Sequence, residues 1–233
     1  MYQSLYSVGL KSYLDEYFFN REYLQEPWLT KIDKFVGNLS DVQQSVLREK
    51  FKPNITHLSA NDLVNEVMIA CVHHPTADFI REATDRKTFD LFDESFNLKI
   101  EVKTLNESEG EQIRHNNQKP NEGRVNIGKC LSGKELEDRK KSIIISLQKK
   151  CLDKLSKAVC QLESKGKIYL IYDYDILFGT SEGSRTHAPM SGEEVGKIVK
   201  DYCTQFLTGY PDVAIEVTCL EDLRARVANC KLT

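Results

Sequence analysis

The chain has no long apolar run. No stretch approaches the roughly 20 consecutive apolar residues that a helical membrane span requires, and no membrane association is expected. Its beginning, MYQSLYSVGLKSYLDEYFF, carries acids and aromatics where a secretory leader would place a basic segment and an apolar core. It is a poor signal peptide. Paired cysteines are missing too. Cys71, Cys130, Cys151, Cys160, Cys203, Cys219 and Cys230 are scattered, with no CxxC among them. An odd count at loose spacing argues for reduced thiols in a cytoplasmic protein over a disulfide framework. Nothing resembles a phosphate-binding P-loop or a GxSxG elbow, and there is no internal repeat. His73 and His74 follow Cys71, but no second cluster has ligand spacing. The histidines therefore read as the end of a helix, near its negative pole, and not as a zinc site.

What is present is ordinary globular material: 233 residues, 40% hydrophobic and 29% charged. That is enough to bury a substantial core, and wholesale disorder is not expected. The net charge of −3 hides an uneven distribution. Residues 1–111 hold 12 basic and 19 acidic side chains (−7), 112–167 hold 14 and 6 (+8), and the remainder 6 and 10 (−4). A basic middle in an acidic chain suggests either a local polyanion surface or a solvated helix face.

Residues 1–58 read as a helical, aromatic-rich extension, punctuated by Pro27 and by KPN at 52–54. SDVQ at 40–43 has the form of a capping box, with Ser40 as N-cap and Gln43 reaching back. A helix is expected from Ser59 to before Pro75, with Leu63, Val67 and Ala70 at helical spacing. Strands are expected at 78–82, 88–93 and 97–105. The polar stretch 106–135 reads as a long loop. Leu147, Cys151, Leu155, Ala158 and Leu162 mark a helix over 143–164, stopped by Gly166. A buried strand at 167–177 follows, then a loop at 179–190, a helix capped by Ser191 with Glu194 at N3, a strand at 213–220 and a short terminal helix. The order predicts an α/β domain over 59–233, built around a mixed sheet.

The stretch FDLFDESFNLKIEVKTL, residues 89–105, is unusual. Side chains alternate along a strand, so Lys99, Glu101 and Lys103 share one face while Leu98, Ile100 and Val102 share the other. A four-residue turn through Glu94–Asn97 sets Asp93 opposite Leu98 and Asp90 directly across from Glu101. An odd-length turn makes Asp93 the partner instead. Two acids so placed repel unless something compensates. A divalent cation does, because hard ions such as Mg²⁺ take carboxylate oxygens. An edge hairpin with a solvated charged face needs no such ion.

Taken with Glu66 on the preceding helix, Asp90 in TFDLFD and the pair Glu101 and Lys103 in KIEVKT resemble the PD-(D/E)xK nuclease superfamily, the restriction-endonuclease-like fold. The resemblance covers roughly residues 59–177. It departs from the family pattern at Asp90, which follows Phe89 instead of a proline; the nearest such acid, Asp78 in PTAD, lies further upstream. The resemblance implies an αβββαβ core and metal-dependent hydrolysis of phosphodiester bonds. Asp90, Glu101 and the Val102 carbonyl would hold Mg²⁺, with Mn²⁺ as a substitute. Lys103 would orient the attacking water, and Glu66 would reach a metal-bound water or a second ion. Gln148 stands where some relatives carry a further polar site residue.

In this light the basic third becomes a nucleic-acid surface, with Arg114, Lys119, Arg124 and Lys129 in the loop and Arg139, Lys140 and Lys141 after it. The expected protein is a DNA endonuclease of defence, mobile-element or repair type. A catalytically inactive protein of the same fold, binding nucleic acid or assisting assembly, is the alternative, and an RNA-cleaving endonuclease is a second. The N-terminal helices would serve a homodimer, a partner protein or target recognition.

Overall fold

The structure, a computed structural model, describes residues 27–51, 57–81, 88–105, 133–173 and 190–231. Six α-helices and five strands lie among them: α1 (Pro27–Asn38), α2 (Asp41–Lys50), α3 (His57–His73), β1 (Asp78–Phe79), β2 (Leu91–Asp93), β3 (Leu98–Leu105), α4 (Gly133–Gln161), β4 (Gly166–Tyr172), α5 (Gly192–Leu207), β5 (Val213–Cys219) and α6 (Leu220–Asn229). The strands form one mixed sheet in the order β1-β2-β3-β4-β5. The first three are antiparallel, and β3, β4 and β5 run parallel. The expected α/β class, mixed sheet and element order from α3 to β4 are all present.

Each face of the sheet carries its own core. Ile100, Val102, Tyr169 and Ile171 pack under α1, α2, α3 and α6. Their neighbours Leu105, Ile168, Leu170 and Tyr172 pack under α4 and α5. Covering on both sides explains why β4 reads as a continuous apolar run rather than an alternating one. The N-terminal helices share in this core: Trp28, Ile32, Phe35, Val46 and Leu47 join the same buried cluster as the strands. Residue 58 therefore does not separate two cores among the described residues.

Several boundaries differ from expectation. α4 starts at Gly133, ten residues before the expected 143, and takes in part of the expected loop. Its fully buried residues begin at Leu147 and its core contacts at Ile143, so the turns before 143 have no apolar stripe to announce them. Ser40 caps α2 by accepting from the Gln43 amide at 3.3 Å. The Gln43 side chain, however, accepts the Phe79 N–H at 2.7 Å and so ties α2 to β1. The full capping box forms at α5, between Ser191 and Glu194. After α4 the chain turns sharply through Glu163 and Ser164, both left-handed, into Gly166 at φ 149°. A Cβ there would stand 2.5 Å from the Lys99 carbonyl oxygen, so only glycine lets β4 start beside β3.

Candidate active site

The hairpin register follows from its turn. Glu94–Phe96 forms a single 3₁₀ turn closed by Asn97 at φ 47°, a conformation asparagine tolerates well. Four turn residues place Asp93 opposite Leu98 and Leu91 opposite Ile100. The Asp90 amide donates to the Ile100 carbonyl at 3.0 Å, so Asp90 and Leu91 both oppose Ile100, and the pairing slips by one residue there instead of setting Asp90 directly across from Glu101 as a regular even-turn ladder predicts. Asp93 faces the other way. It is buried, accepts from His74 Nδ1 at 2.9 Å and caps the Ser95 amide at 3.1 Å, so both its oxygens are engaged away from Glu101. Asp78 pairs with Phe92, two residues along from the Asp90 row.

Beyond Asp90, β2 no longer pairs with β3, while β3 runs on to Leu105. Asp90 Oδ2 fills the gap by accepting the Val102 N–H at 2.8 Å. The N–H and C=O of one strand residue point to the same side, so the Val102 carbonyl faces this opening as well. Glu101 is fully buried. Its Oε1 is in contact with Lys103 Nζ, and its Oε2 is buried without a hydrogen-bond partner. Such an atom is costly to leave unpaired.

Glu66 arrives from α3. The Asn65 amide donates to the Thr104 hydroxyl at 2.9 Å, fixing that helix against β3, and Glu66 is the next residue. Its Oε2 meets Lys50 Nζ at 2.6 Å, and both side chains are buried. Burial first, then the charge of Asp90, push the Glu66 pKa up to about 8 against the pull of Lys50, with Glu101 adding to the rise. Burial and then Asp90 push Glu101 likewise to about 8, against Lys103 and Lys50. Burial works to lower the Lys103 pKa, but Asp90, Glu101 and Glu66 outweigh it and hold the ammonium above its ordinary value. Three carboxylates thus share one site with two lysines, and the acids are short of positive charge.

Glu66, Asp90, Glu101 and Lys103 are therefore brought together. Lys50 was not foreseen, since no spacing rule ties the last residue of α2 to a hairpin 40 residues on. Gln148 is exposed in the middle of α4. Arg139 and Lys141 are exposed and Lys140 partly so, on the first half of α4. Arg114, Lys119, Arg124 and Lys129 lie outside the described residues. His73 stands 3.7 Å from Glu216, and His74 is bound between Asp93 and the Tyr169 hydroxyl, so neither is placed as a zinc ligand.

Among the described residues no three His, Cys, Asp or Glu side chains form a ready metal-ligand group. Mg²⁺ does not need one, because it keeps several waters and uses one or two carboxylates. The unpartnered Glu101 Oε2, beside Asp90 and the Val102 carbonyl, fits such an ion. No helix among the described residues is long and apolar enough to cross a membrane. No protein-family model, curated protein or solved structure matches the chain.

Proposed function

We propose that the chain is a Mg²⁺-dependent endonuclease with a restriction-endonuclease-like core, acting on DNA. The observation that carries this reading is the meeting of Asp90 and Lys103 with the buried Glu101 where β3 outruns β2, with Glu101 Oε2 lacking a partner. A structural ion pair would not need a second acid whose charge opposes the first.

Asp90, Glu101 and the Val102 carbonyl are the residues that would hold the ion. When bound, Mg²⁺ polarises a phosphoryl oxygen and lowers the pKa of a coordinated water. The chain supplies the rest. Glu101 holds the Lys103 ammonium at the site, where it can donate to the attacking oxygen and stabilise the charge that develops on the phosphate. Asp90 is oriented by the Val102 amide, so its second oxygen points at a defined place. Glu66 supplies a further carboxylate from the opposite layer.

The first half of α4 supports a polyanionic substrate. A helix of 29 residues is about 43 Å long, whereas the eight residues of β3 span about 26 Å. The end of α4 lies near the start of β3, since Lys99 pairs with Glu163. The helix therefore overhangs the far end of the strand and carries Arg139, Lys140 and Lys141 there.

The test is cleavage of plasmid, single-stranded DNA and RNA with Mg²⁺ or Mn²⁺, comparing wild type with Glu101→Ala. Metal-dependent cleavage by wild type alone is the expected result. A wild type that cuts none of these with either ion hands the molecule to the non-catalytic, nucleic-acid-binding reading. Cleavage of RNA alone replaces DNA as the substrate.

A further inference from the structure

Lys50 is the last residue of α2, and its side chain is 7% exposed. A lysine so deeply buried is uncommon unless paired, and here it sits on Glu66 at 2.6 Å. The site therefore contains two ammonium groups where its acids call for a cation: Lys103 on Glu101, and Lys50 on Glu66. They are not equivalent. Lys103 is two residues from its partner on one strand, and the strand holds the pair together. Lys50 reaches Glu66 across two helices on a flexible four-carbon stem, as a compact charge with three donors. Of the two it is the pair that can exchange partners.

Resting on the reading of this site as a metal-dependent nuclease, we propose that Lys50 is an exchangeable counter-cation. It is held on Glu66 in the metal-free protein, and it passes to a backbone phosphate of the nucleic acid when a divalent ion takes Glu66. Each side chain is then paired in both states. Glu66 trades an ammonium for a metal ion, and Lys50 trades a carboxylate for a phosphate. Metal and nucleic acid consequently favour each other's binding, and this coupling is reciprocal. The N-terminal helices become part of the site, because α2 delivers the charge.

The salt dependence of binding reads this exchange. Each phosphate neutralised by a lysine adds about 0.9 to the slope of log affinity against log salt on duplex DNA. A Lys103→Ala background prevents cleavage, and DNA affinity is measured against NaCl with EDTA or with Mn²⁺. In Mn²⁺, adding Lys50→Gln should reduce the slope by about 1; in EDTA it should change nothing, since Lys50 is then held by Glu66. Lys50→Arg should retain the Mn²⁺ slope. Glu66→Gln, which removes the carboxylate paired with Lys50 without touching the lysine, should steepen the slope in EDTA by up to about 1 and keeps the test decisive should Lys50→Gln fold poorly.

Equal slopes with and without Lys50 in both conditions overturn the proposal. A difference of the same size in both conditions also overturns it, since it makes Lys50 a permanent phosphate contact. Calorimetry of the Lys103→Ala protein with Mn²⁺ separates this failure from that of the site itself. Absence of ion binding there removes the metal reading, and the proposal with it. Ion binding with unchanged slopes removes the Lys50 exchange alone.

Discussion

Asp90 and Val102 are joined at the end of the hairpin: the Asp90 carboxylate takes the Val102 N–H at 2.8 Å, while the Asp90 amide donates to the Ile100 carbonyl at 3.0 Å. Asp90 and Glu101 are thereby held on neighbouring strands, where the charge of Asp90 opposes the ionisation of Glu101. Asp90 is, after burial, the largest contributor to the raised pKa of both Glu66 and Glu101. The fold tolerates this repulsion, and the chemistry proposed for the site explains why it is present.

Asp90→Asn should therefore stabilise the metal-free protein. Asparagine can still accept the Val102 N–H while removing the charge that opposes Glu66 and Glu101. Relief of about 1 kcal/mol corresponds to a Tm higher by roughly 2–4 °C in EDTA. Millimolar Mg²⁺ or Mn²⁺ should raise the Tm of wild type and leave the variant nearly unchanged. A wild-type Tm indifferent to both ions counts heavily against the site.

The same pKa values set a pH dependence. Glu66 and Glu101 are raised from an ordinary 4.5 to about 8, so between those values the folded state holds more protons than the unfolded one. Their contribution to stability is fully present below about 4.5 and is lost as pH rises through about 8. In EDTA, the stability of wild type relative to Glu101→Gln should fall across that window, as measured by urea midpoints. Mg²⁺ should flatten the fall, because the ion replaces the proton as counter-charge. A relative stability that does not fall from pH 5 to pH 8 would show that Glu101 ionises as freely in the folded protein as in the unfolded one.

The hairpin was legible because its information is local. Alternation and an even turn length fix the pairing from Asp93 with Leu98 to Leu91 with Ile100, and Asn97 supports the turn this register requires, but the one-residue slip at Asp90 left no local sign. The two-sided burial of β4 and the Ser191 cap were readable for the same reason. The start of α4 was hidden, since residues 133–142 contribute nothing to the core and a solvated helix turn leaves no apolar period, whereas Ile143 and Ile144 already pack against it. The fate of Gln43 was hidden as well, because the Phe79 amide that takes its side chain belongs to another element. Lys50 was the largest omission. Its meaning comes from the packing of α2 against α3, and a single lysine at a helix end carries no sign of that.

The overhanging part of α4 offers a separate test. Replacing Arg139, Lys140 and Lys141 with Gln should weaken DNA binding about equally across sequences, because phosphate contacts carry no base information. The slope of log affinity against log salt should shrink by up to about 2.7 if all three contact phosphates. Stability should change little, since none of the three is buried. An unchanged slope would show that this face of the helix is solvated and plays no part in binding.

Lys103→Ala separates an enzyme from a binding protein. The substitution removes the ammonium that touches Glu101 and leaves Asp90, Glu101 and the Val102 carbonyl in place. Glu101 then loses a counter-charge, so the metal-free variant should melt below wild type and respond more strongly to Mn²⁺. The ligands remain, so metal and nucleic acid should still bind. Losing one electrostatic stabiliser of the reacting phosphate typically costs on the order of 10²–10³ in rate. The loss should fall on the rate at saturating DNA, while the affinity for DNA changes by less than the rate. A variant that cuts as fast as wild type would place the chemistry elsewhere in the molecule. One that binds neither Mn²⁺ nor DNA would make Lys103 a structural residue, held by Glu101 to keep β3 folded.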